Sequence, residues 1–310
     1  MITIFASPKP FAGHIGTIQR NAISSWVRLH PQCQVILFGD EAGIAGAAEE
    51  FGLRHVPQVA RNNYGTPLLS DVFEKAAGLA THDLLCYVNC DIILMSDFMR
   101  AVNNLAERKE RFLMVGQCRN LDVTEPIVFD APEWERRLQE SVSQSGKWRG
   151  PWAIDYFAFT RGLYERIPPF ALGRAHFDNW LVWRGRDLRA AVADATSAVM
   201  AVHQNHDYAH VSGGMDWSYR GEEAKRNLDL GGNHVCNIFD ATYRLTPDRL
   251  RLNWKGRFPF ASLRHLGWPI KRLVTPWWLQ ALEITRPVRR PLGLRMANFG
   301  RLKAALIRRK

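Results

Sequence analysis

An acidic side chain lies inside an otherwise apolar segment of this 310-residue chain. In LLCYVNCDIIL, residues 84 to 94, Asn89 and Asp91 interrupt a run that is typical of a buried strand. An unpaired buried charge costs several kcal/mol, so Asp91 requires a partner. Residues two apart on an extended chain project from the same side, and oxygen ligands of this kind suit Mg²⁺ or Mn²⁺, which complete their shell with water and phosphate. The alternative is that Asp91 caps a turn or a helix start.

A second acid, Asp155, occurs in the apolar segment WAIDYFAF. The same reasoning requires a partner for it, either a bound ligand or an arginine that it anchors. Trp148 and Trp152 precede it and are candidates for stacking on a bound ligand, although aromatic side chains more often belong to a core.

Short apolar runs alternate with helix-like segments in the first third of the chain. Strands are predicted at residues 2–6, 34–38 and 53–57, with helices at 18–29 and 44–51 between them, and Thr66-Pro67 is predicted to open a further helix over 68–80. This alternation indicates an α/β fold with a largely parallel sheet buried on both faces. An acid that follows a strand in such a sheet lies at the edge where nucleotides bind.

The second half is less regular. Later strands are predicted at 114–118, 154–159 and 198–202, with a polar insertion at 119–150 and a short helix near 179–184. The sequence contains neither G-x-x-x-x-G-K-[ST] nor G-x-G-x-x-G after its first strand, which disfavours a P-loop NTPase or a typical dinucleotide enzyme. Its five cysteines include no C-x-x-C pair, so we expect reduced, mostly buried thiols rather than a zinc site.

Several ordered segments resemble GT-A glycosyltransferase-like proteins of bacteria and plants. They are YGTPLLSDVFEKAAGLATHDLL, YVNCDIIL, FDNWLVWRG and AVHQNHDYAH, and the resemblance covers about residues 1 to 235. It implies a Rossmann-like GT-A fold with a mixed, mostly parallel sheet, in which a D-x-D motif binds the metal and the donor diphosphate. Here Asn89 replaces the first acid of that motif, which leaves Asp91 as its only charged ligand.

The resemblance also implies roles for residues elsewhere in the chain. A histidine after a later strand commonly completes the metal site, and His203 and His206 match that position, with a slight preference for His203; the simpler alternative is an ordinary hydrogen-bonding histidine. Asp178 matches the general base of inverting enzymes, or it caps a helix. Substrate contacts are expected from Trp152, Asp155, His176, Asn179 and Trp180. Nucleotide contacts are expected from Ser7, Lys9, Arg20, Asp40, Asn89 and Asp91.

The positive charge of the chain is concentrated at its C-terminal end. The net charge is +11, and residues 251–310 hold 15 of the 41 Lys and Arg residues with one acid, Glu283. We therefore predict a GT-A domain at 1–250 and a basic extension at 251–310. Within 268–310 basic residues alternate with Trp and Leu, as in a helix on an anionic membrane surface, although a packed or disordered tail is an equal alternative.

Together these features predict a metal-dependent glycosyltransferase. It would move a sugar from a nucleotide-sugar donor to a hydroxyl acceptor, such as a cell-envelope glycan or lipid-linked saccharide in polysaccharide biosynthesis, with Mn²⁺ or Mg²⁺. We expect a cytoplasmic location, peripheral at the inner face of the membrane, and no specific nucleic-acid partner. The alternatives are a catalytically impaired carbohydrate- or nucleotide-binding protein, a nucleotidyltransferase, and nucleic-acid binding through the tail.

Overall fold

A computed structural model describes residues 1–207 and 214–257, without the side chains of Met215, Lys255 and Arg257. Most of the basic extension, including the predicted membrane-contact region 268–310, therefore lies outside the described residues. Among the residues described, no helix has the length and apolar character needed to cross a bilayer.

Strands and helices alternate along the described chain. The strands are β1 (Ile2–Ala6), β2 (Gln34–Phe38), β3 (Arg54–Val56), β4 (Leu84–Val88), β5 (Ile92–Ile93), β6 (Phe112–Val115), β7 (Arg119–Leu121), β8 (Lys147–Trp148), β9 (Tyr156–Thr160), β10 (Ala191–Asp194), β11 (Val202–Gln204), β12 (Tyr243–Leu245) and β13 (Leu250–Leu252). The helices are α1 (Gly13–Val27), α2 (Ile44–Glu50), α3 (Leu69–Leu79), α4 (Ser96–Ala106), α5 (Trp134–Ser145), α6 (Phe177–Asp187), α7 (Gly214–Arg220), α8 (Glu222–Leu230) and α9 (Trp254–Arg257).

Two sheets organise these elements. The large sheet has nine strands in the order β13-β12-β10-β6-β9-β4-β1-β2-β3, and the small sheet has four in the order β5-β11-β7-β8. In the large sheet β9 runs antiparallel between β4 and β6, and β13 runs antiparallel at the edge, while the other neighbours are parallel. The predicted mixed, mostly parallel α/β sheet flanked by helices is confirmed.

Apolar side chains cover both faces of the large sheet. On β1, Ile2 and Ile4 belong to one buried cluster and Phe5 to the other, as the alternation of side chains along a strand requires. On the Phe5 side, Phe73 of α3 stacks on Phe159 of β9 with ring centroids 5.6 Å apart. The strands are therefore buried on both sides, which explains their continuous apolar sequences.

Several predicted boundaries differ from the structure. Helix α3 begins at Leu69 rather than at Thr66-Pro67, because Leu68 is extended and its N–H donates to the carbonyl of Ala60. The strand predicted at 198–202 begins only at Val202, since Ala198 and Val199 close a turn on the carbonyl of Ala195. The strand predicted at 114–118 ends at Val115.

The last two strands of the described chain belong to the large sheet. Strand β13 pairs with β12 through residue 252, so this part of the sheet extends slightly past residue 250. The division of the chain into a domain at 1–250 and an extension at 251–310 stays a prediction.

Candidate active site

The segment that carries Asn89 and Asp91 connects the two sheets. Strand β4 ends at Val88, the N–H of Asn89 donates to the carbonyl of Asp155 over 2.9 Å, and the chain resumes as β5. Strand β5 pairs antiparallel with β11, with Ile92 opposite His203. The apolar segment 84–94 is thus two strands of different sheets, and the turn between them carries Asp91 to the end of β11.

Asp91 is buried, with 8% of its surface exposed, and it lies among three basic side chains. Its Oδ2 is 3.0 Å from Nε2 of His206, 3.7 Å from Nζ of Lys9 and 3.9 Å from Nε2 of His203. Burial alone would raise the pKa of Asp91, but His203, His206 and Lys9 hold that pKa well below its ordinary value. Asp91 is therefore a carboxylate rather than a carboxylic acid.

The surroundings of Asp91 fit a divalent cation. One ligand atom each from Asp91, His203 and His206 lie within 4.8 Å of one another. The other carboxylate oxygen, Oδ1, is buried and accepts no hydrogen bond from the described residues. A mixed set of carboxylate oxygen and imidazole nitrogen suits Mn²⁺ better than Mg²⁺, which prefers oxygen alone.

Hydrogen bonds distinguish the two histidines. Nδ1 of His206 lies 2.5 Å from the carbonyl of Asp207, which only accepts, so that nitrogen carries a proton and Nε2, 3.1 Å from the ammonium group of Lys9, is the ring nitrogen that can offer a lone pair. Nδ1 of His203 lies 3.3 Å from a guanidinium nitrogen of Arg149, which only donates, so its proton is on Nε2. A nitrogen that binds a metal ion needs a lone pair, and the other nitrogen of the same ring usually donates to a carbonyl or carboxylate. Nδ1 of His206 has such a carbonyl, whereas Nδ1 of His203 accepts from Arg149, so the contacts favour His206 as the ligand.

Asn89 and Asp155 form a second polar pair beside Asp91. The amide Nδ2 of Asn89 donates to Oδ1 of Asp155 over 3.0 Å, and Oδ2 of Asp155 lies 2.9 Å from Nε of Arg149. Asp155 is only 3% exposed, so the guanidinium supplies the countercharge that its burial requires. Of the two predictions for Asp155, anchoring an arginine matches these contacts. Because Nδ2 of Asn89 donates to Asp155, the Oδ1 atom of Asn89 is the one that can bind a metal ion.

Helix α1 holds the segments on either side of the site. Gln19 of α1 accepts from the N–H of Lys9 over 2.7 Å and donates to its carbonyl over 2.8 Å. Asn21 donates to Oε1 of Gln204 over 3.0 Å, and Gln204 donates to the carbonyl of Ile18 over 2.7 Å. Gln19, Asn21 and Gln204 are all buried, so this network fixes the loop of Lys9 and the end of β11 against one helix.

Asp178 lies in the first turn of α6, where its Oδ2 accepts weakly from the N–H of Ile154 over 3.4 Å. Burial raises the pKa of Asp178 to about 7, with a smaller contribution from the charge of Asp155. His176, at the helix N-cap, has φ +86°, a left-handed conformation that costs a non-glycine residue about 1 kcal/mol or more. A half-buried acid with a pKa near neutrality suits acid–base chemistry.

The other predicted substrate residues are placed differently. Trp180 is 6% exposed and packs against Phe170, so the structure places it in the core rather than in a wall of the site. Asn179 is also buried, and its amide donates to the carbonyls of Trp152 and Cys236 over 3.1 Å each. Asn179 therefore supports the loop around Trp152, whose own side chain is 41% exposed.

Three of the residues predicted to contact the nucleotide come after neighbouring parallel strands. Ser7 comes directly after β1 and is partly exposed, and Asp40 lies two residues after β2 and pairs with Arg61. Because β4, β1 and β2 are adjacent and parallel, these residues and Asn89 lie at the same edge of the large sheet. Arg20 instead pairs with Glu50 at 2.9 Å on the outer side of α1.

Sequence reasoning missed Gln19, Asn21, Arg149 and Gln204, which hold the predicted residues in position. A signal existed for two of them: Gln19 and Asn21 occur on the face of α1 that also carries Ile18, Ala22 and Trp26. Arg149 lies in the polar insertion, where no pattern separates it from exposed arginines.

Comparisons with known proteins found similarity of structure only. No family model and no curated protein matches the sequence. Glucosyl-3-phosphoglycerate synthase from Mycobacterium tuberculosis, solved with Mn²⁺, UDP-glucose and phosphoglyceric acid, is similar with a TM-score of 0.45 and 16% identity over 75% of this chain and 80% of that one. The mannosyltransferase PcManGT from Pyrobaculum calidifontis, solved with GDP-Man and Mn²⁺, gives a TM-score of 0.43 and 15% identity over 67% and 58% of the two chains.

A third similar structure is S. aureus TarS 1-349, with a TM-score of 0.40 and 8% identity over 66% of this chain and 58% of that one. Similarities at this level do not transfer an activity, so the function of this chain must follow from its own side chains. The expected resemblance to nucleotide-sugar glycosyltransferases is found among solved structures.

Proposed function

We propose that this protein is a divalent-metal-dependent glycosyltransferase, which moves a sugar from a nucleoside-diphosphate-sugar to a hydroxyl acceptor. The observation that carries the proposal is the state of Asp91. It is a buried carboxylate beyond the end of a parallel strand, 3.0 Å from His206, with its Oδ1 accepting no hydrogen bond from the described residues. A cation and a diphosphate are the ligands that such a carboxylate accommodates at this edge of an α/β sheet.

Asp91 and Nε2 of His206 are the proposed ligands of Mn²⁺ or Mg²⁺, with Oδ1 of Asn89 as a third candidate. His203 is a less favourable ligand because Arg149 donates to its Nδ1. When bound, the metal would neutralise the charge that develops on the departing diphosphate. The protein's contribution is to hold the ligand atoms in place through the network of α1.

The nucleotide is proposed to lie along the edge formed by the ends of β4, β1 and β2. Ser7 would contact phosphate or base, and Asp40 would accept hydrogen bonds from ribose or base. Arg20 is the weakest member of the predicted set, since it already pairs with Glu50.

Asp178 is the proposed general base. With a pKa of about 7 it is substantially ionised near neutral pH, yet basic enough to take the proton of the attacking hydroxyl. The exposed ring of Trp152 and the imidazole of His176 are proposed to contact the acceptor or the donor sugar. Direct displacement assisted by Asp178 would invert the configuration at the anomeric carbon.

We further propose a cell-envelope glycan or a lipid-linked saccharide as the acceptor. The support is the sequence of residues 268–310, in which Lys and Arg alternate with Trp and Leu. A peripheral position on an anionic membrane, at its cytoplasmic face, would bring the protein close to such an acceptor.

A thermal-shift screen of nucleotide-sugars with and without Mn²⁺ tests the function. A donor that binds only the folded state raises Tm, and we expect the largest increase with donor and Mn²⁺ together. Hydrolysis of the same donor is then followed without acceptor. Stabilisation without any turnover would instead support a binding protein that has lost catalysis, and no stabilisation by any nucleotide-sugar would overturn the proposal.

A further inference from the structure

The ammonium group of Lys9 contacts the two atoms that are the best candidates for metal ligands. Its Nζ lies 3.1 Å from Nε2 of His206 and 3.7 Å from Oδ2 of Asp91. A positive charge is therefore already present at the position that suits a divalent cation.

The backbone of Lys9 is held by a buried side chain. Gln19, which is 2% exposed, accepts from the N–H of Lys9 and donates to its carbonyl. Both bonds involve the side-chain amide of Gln19, so they fix the backbone of Lys9. The side chain of Lys9 beyond Cα can still change rotamer. The Lys9 side chain is 31% exposed, which leaves room for its ammonium group to move.

One side chain with a permanent positive charge lies beside each of the two buried carboxylates. Arg149 neutralises Asp155 at 2.9 Å, and Lys9 is the corresponding cation for Asp91. Because Asn89 replaces the first acid of the D-x-D pattern, Asp91 supplies the only negative charge of that motif. A divalent cation that joins these groups would repel the ammonium group, and its own binding would be weakened by the same repulsion.

We propose that Lys9 occupies the cation site in the ligand-free protein and transfers its ammonium group to the diphosphate when metal and donor bind. This inference rests on the proposed function and adds a property to it: metal and nucleotide each bind weakly alone and strongly together. The diphosphate gives Lys9 a new anionic partner, so its arrival removes the competition for Asp91 and His206.

Linkage fixes the form of this coupling. If a nucleoside diphosphate strengthens Mn²⁺ binding by some factor, Mn²⁺ strengthens nucleotide binding by the same factor, typically 5- to 150-fold for coupled sites. Part of that factor would come from direct contact between metal and diphosphate, and the remainder from Lys9. Removing the charge of Lys9 should therefore raise the affinity for Mn²⁺ alone and reduce the coupling factor.

The test compares Lys9→Met with a matched control. Lys75→Met removes another lysine that pairs with a carboxylate, Asp71 at 2.8 Å, and that has a similar side-chain exposure of 35%. Binding of Mn²⁺ to each folded protein is followed by the loss of the free-ion EPR signal, without nucleotide and with UDP, GDP, ADP, CDP or dTDP. Lys9→Gln is measured in parallel, because it removes the charge but retains a donor for Asp91.

We expect both Lys9 variants to bind Mn²⁺ alone about fivefold or more tightly than the wild type, with the coupling factor reduced by a similar amount. Lys75→Met should match the wild type. Equal or weaker binding of Mn²⁺ alone by the Lys9 variants, or an unchanged coupling factor, would overturn the role of Lys9 while leaving the proposed function intact. If the wild type binds neither Mn²⁺ nor any nucleotide, both proposals fall.

Discussion

Asp91 and His206 are 115 residues apart in the sequence, yet Oδ2 of one lies 3.0 Å from Nε2 of the other. They meet because β5, which follows Asp91, pairs with β11, which precedes His206. Pairing of the small sheet thus assembles the proposed metal ligands, and five predictions follow for the proposed site.

Replacement of Asp91 by Asn should remove metal-dependent donor binding. The amide retains the shape of the side chain but loses the only acidic ligand, so we expect at least a 100-fold loss of donor turnover and no additional rise in Tm with Mn²⁺. Asp71→Asn, at a partly exposed ion pair on α3, is the control and should retain both. Wild-type turnover by a folded Asp91→Asn protein would exclude Asp91 from the reaction.

The two histidines should differ in their effect on metal affinity. Because Nδ1 of His206 lies against the carbonyl of Asp207 whereas Nδ1 of His203 accepts from Arg149, His206→Ala should lower Mn²⁺ affinity roughly 10- to 100-fold and His203→Ala only a few-fold. Mn²⁺ titration in the presence of the bound nucleotide measures both. The reverse order would indicate that Arg149 moves away and that His203 is the ligand.

The pH dependence of turnover should report Asp178. A general base acts in its ionised form, so with a pKa of about 7 we expect kcat/KM to rise with pH up to about 7 and then to level off. Asp178→Asn should lose this rise together with most of the activity. A profile that is the same in the wild type and in a slow Asp178→Asn variant would assign the titration to another group.

The same pKa predicts an effect of Asp178 on stability. Its folded-state pKa of about 7 lies above the ordinary value of 3.8, so the stability contributed by the neutral form is complete below pH 3.8 and is lost as the pH rises through about 7. Asp178→Asn stays neutral and should therefore gain in free energy of unfolding relative to the wild type between pH 5 and pH 8, by up to about 4 kcal/mol. Urea denaturation across this pH range provides the measurement.

The pair of Arg149 and Asp155 should be strongly coupled. Arg149→Met leaves a buried carboxylate without its countercharge, which typically costs about 3–5 kcal/mol of folding free energy. Adding Asp155→Asn removes the unpaired charge, so the double variant should be more stable than Arg149→Met alone. Additive losses in a double-mutant cycle would show that the 2.9 Å contact contributes little.

The strands were the most predictable part of the fold. Residues 2–6 and 34–38 form strands with the predicted bounds. Each is a short, mostly apolar run, because a strand that is buried on both faces of a sheet needs apolar side chains on both sides. Helix α1 begins five residues earlier than predicted, at Gly13 rather than Ile18, because its first turn contains two glycines and one apolar side chain and so lacks an apolar repeat.

The site was predictable as far as local chemistry extends. The cost of a buried charge required partners for Asp91 and Asp155, and both have them. The identity of those partners depends on strand pairing and helix packing between distant segments, which no local pattern encodes. Trp180 was misplaced for the same reason: an aromatic residue near an acid has the same sequence signature whether it lines a site or packs in a core.

The buried amide of Gln204 has a consequence for how the protein is made. It bonds the carbonyl of Ile18, 186 residues earlier, and thereby joins the beginning of the chain to a segment that leaves the ribosome much later. Contacts between such distant segments are costly in loop entropy and tend to form late in folding. A nascent chain that ends before β11 lacks both Gln204 and His206, so metal binding should emerge only once synthesis has passed His206.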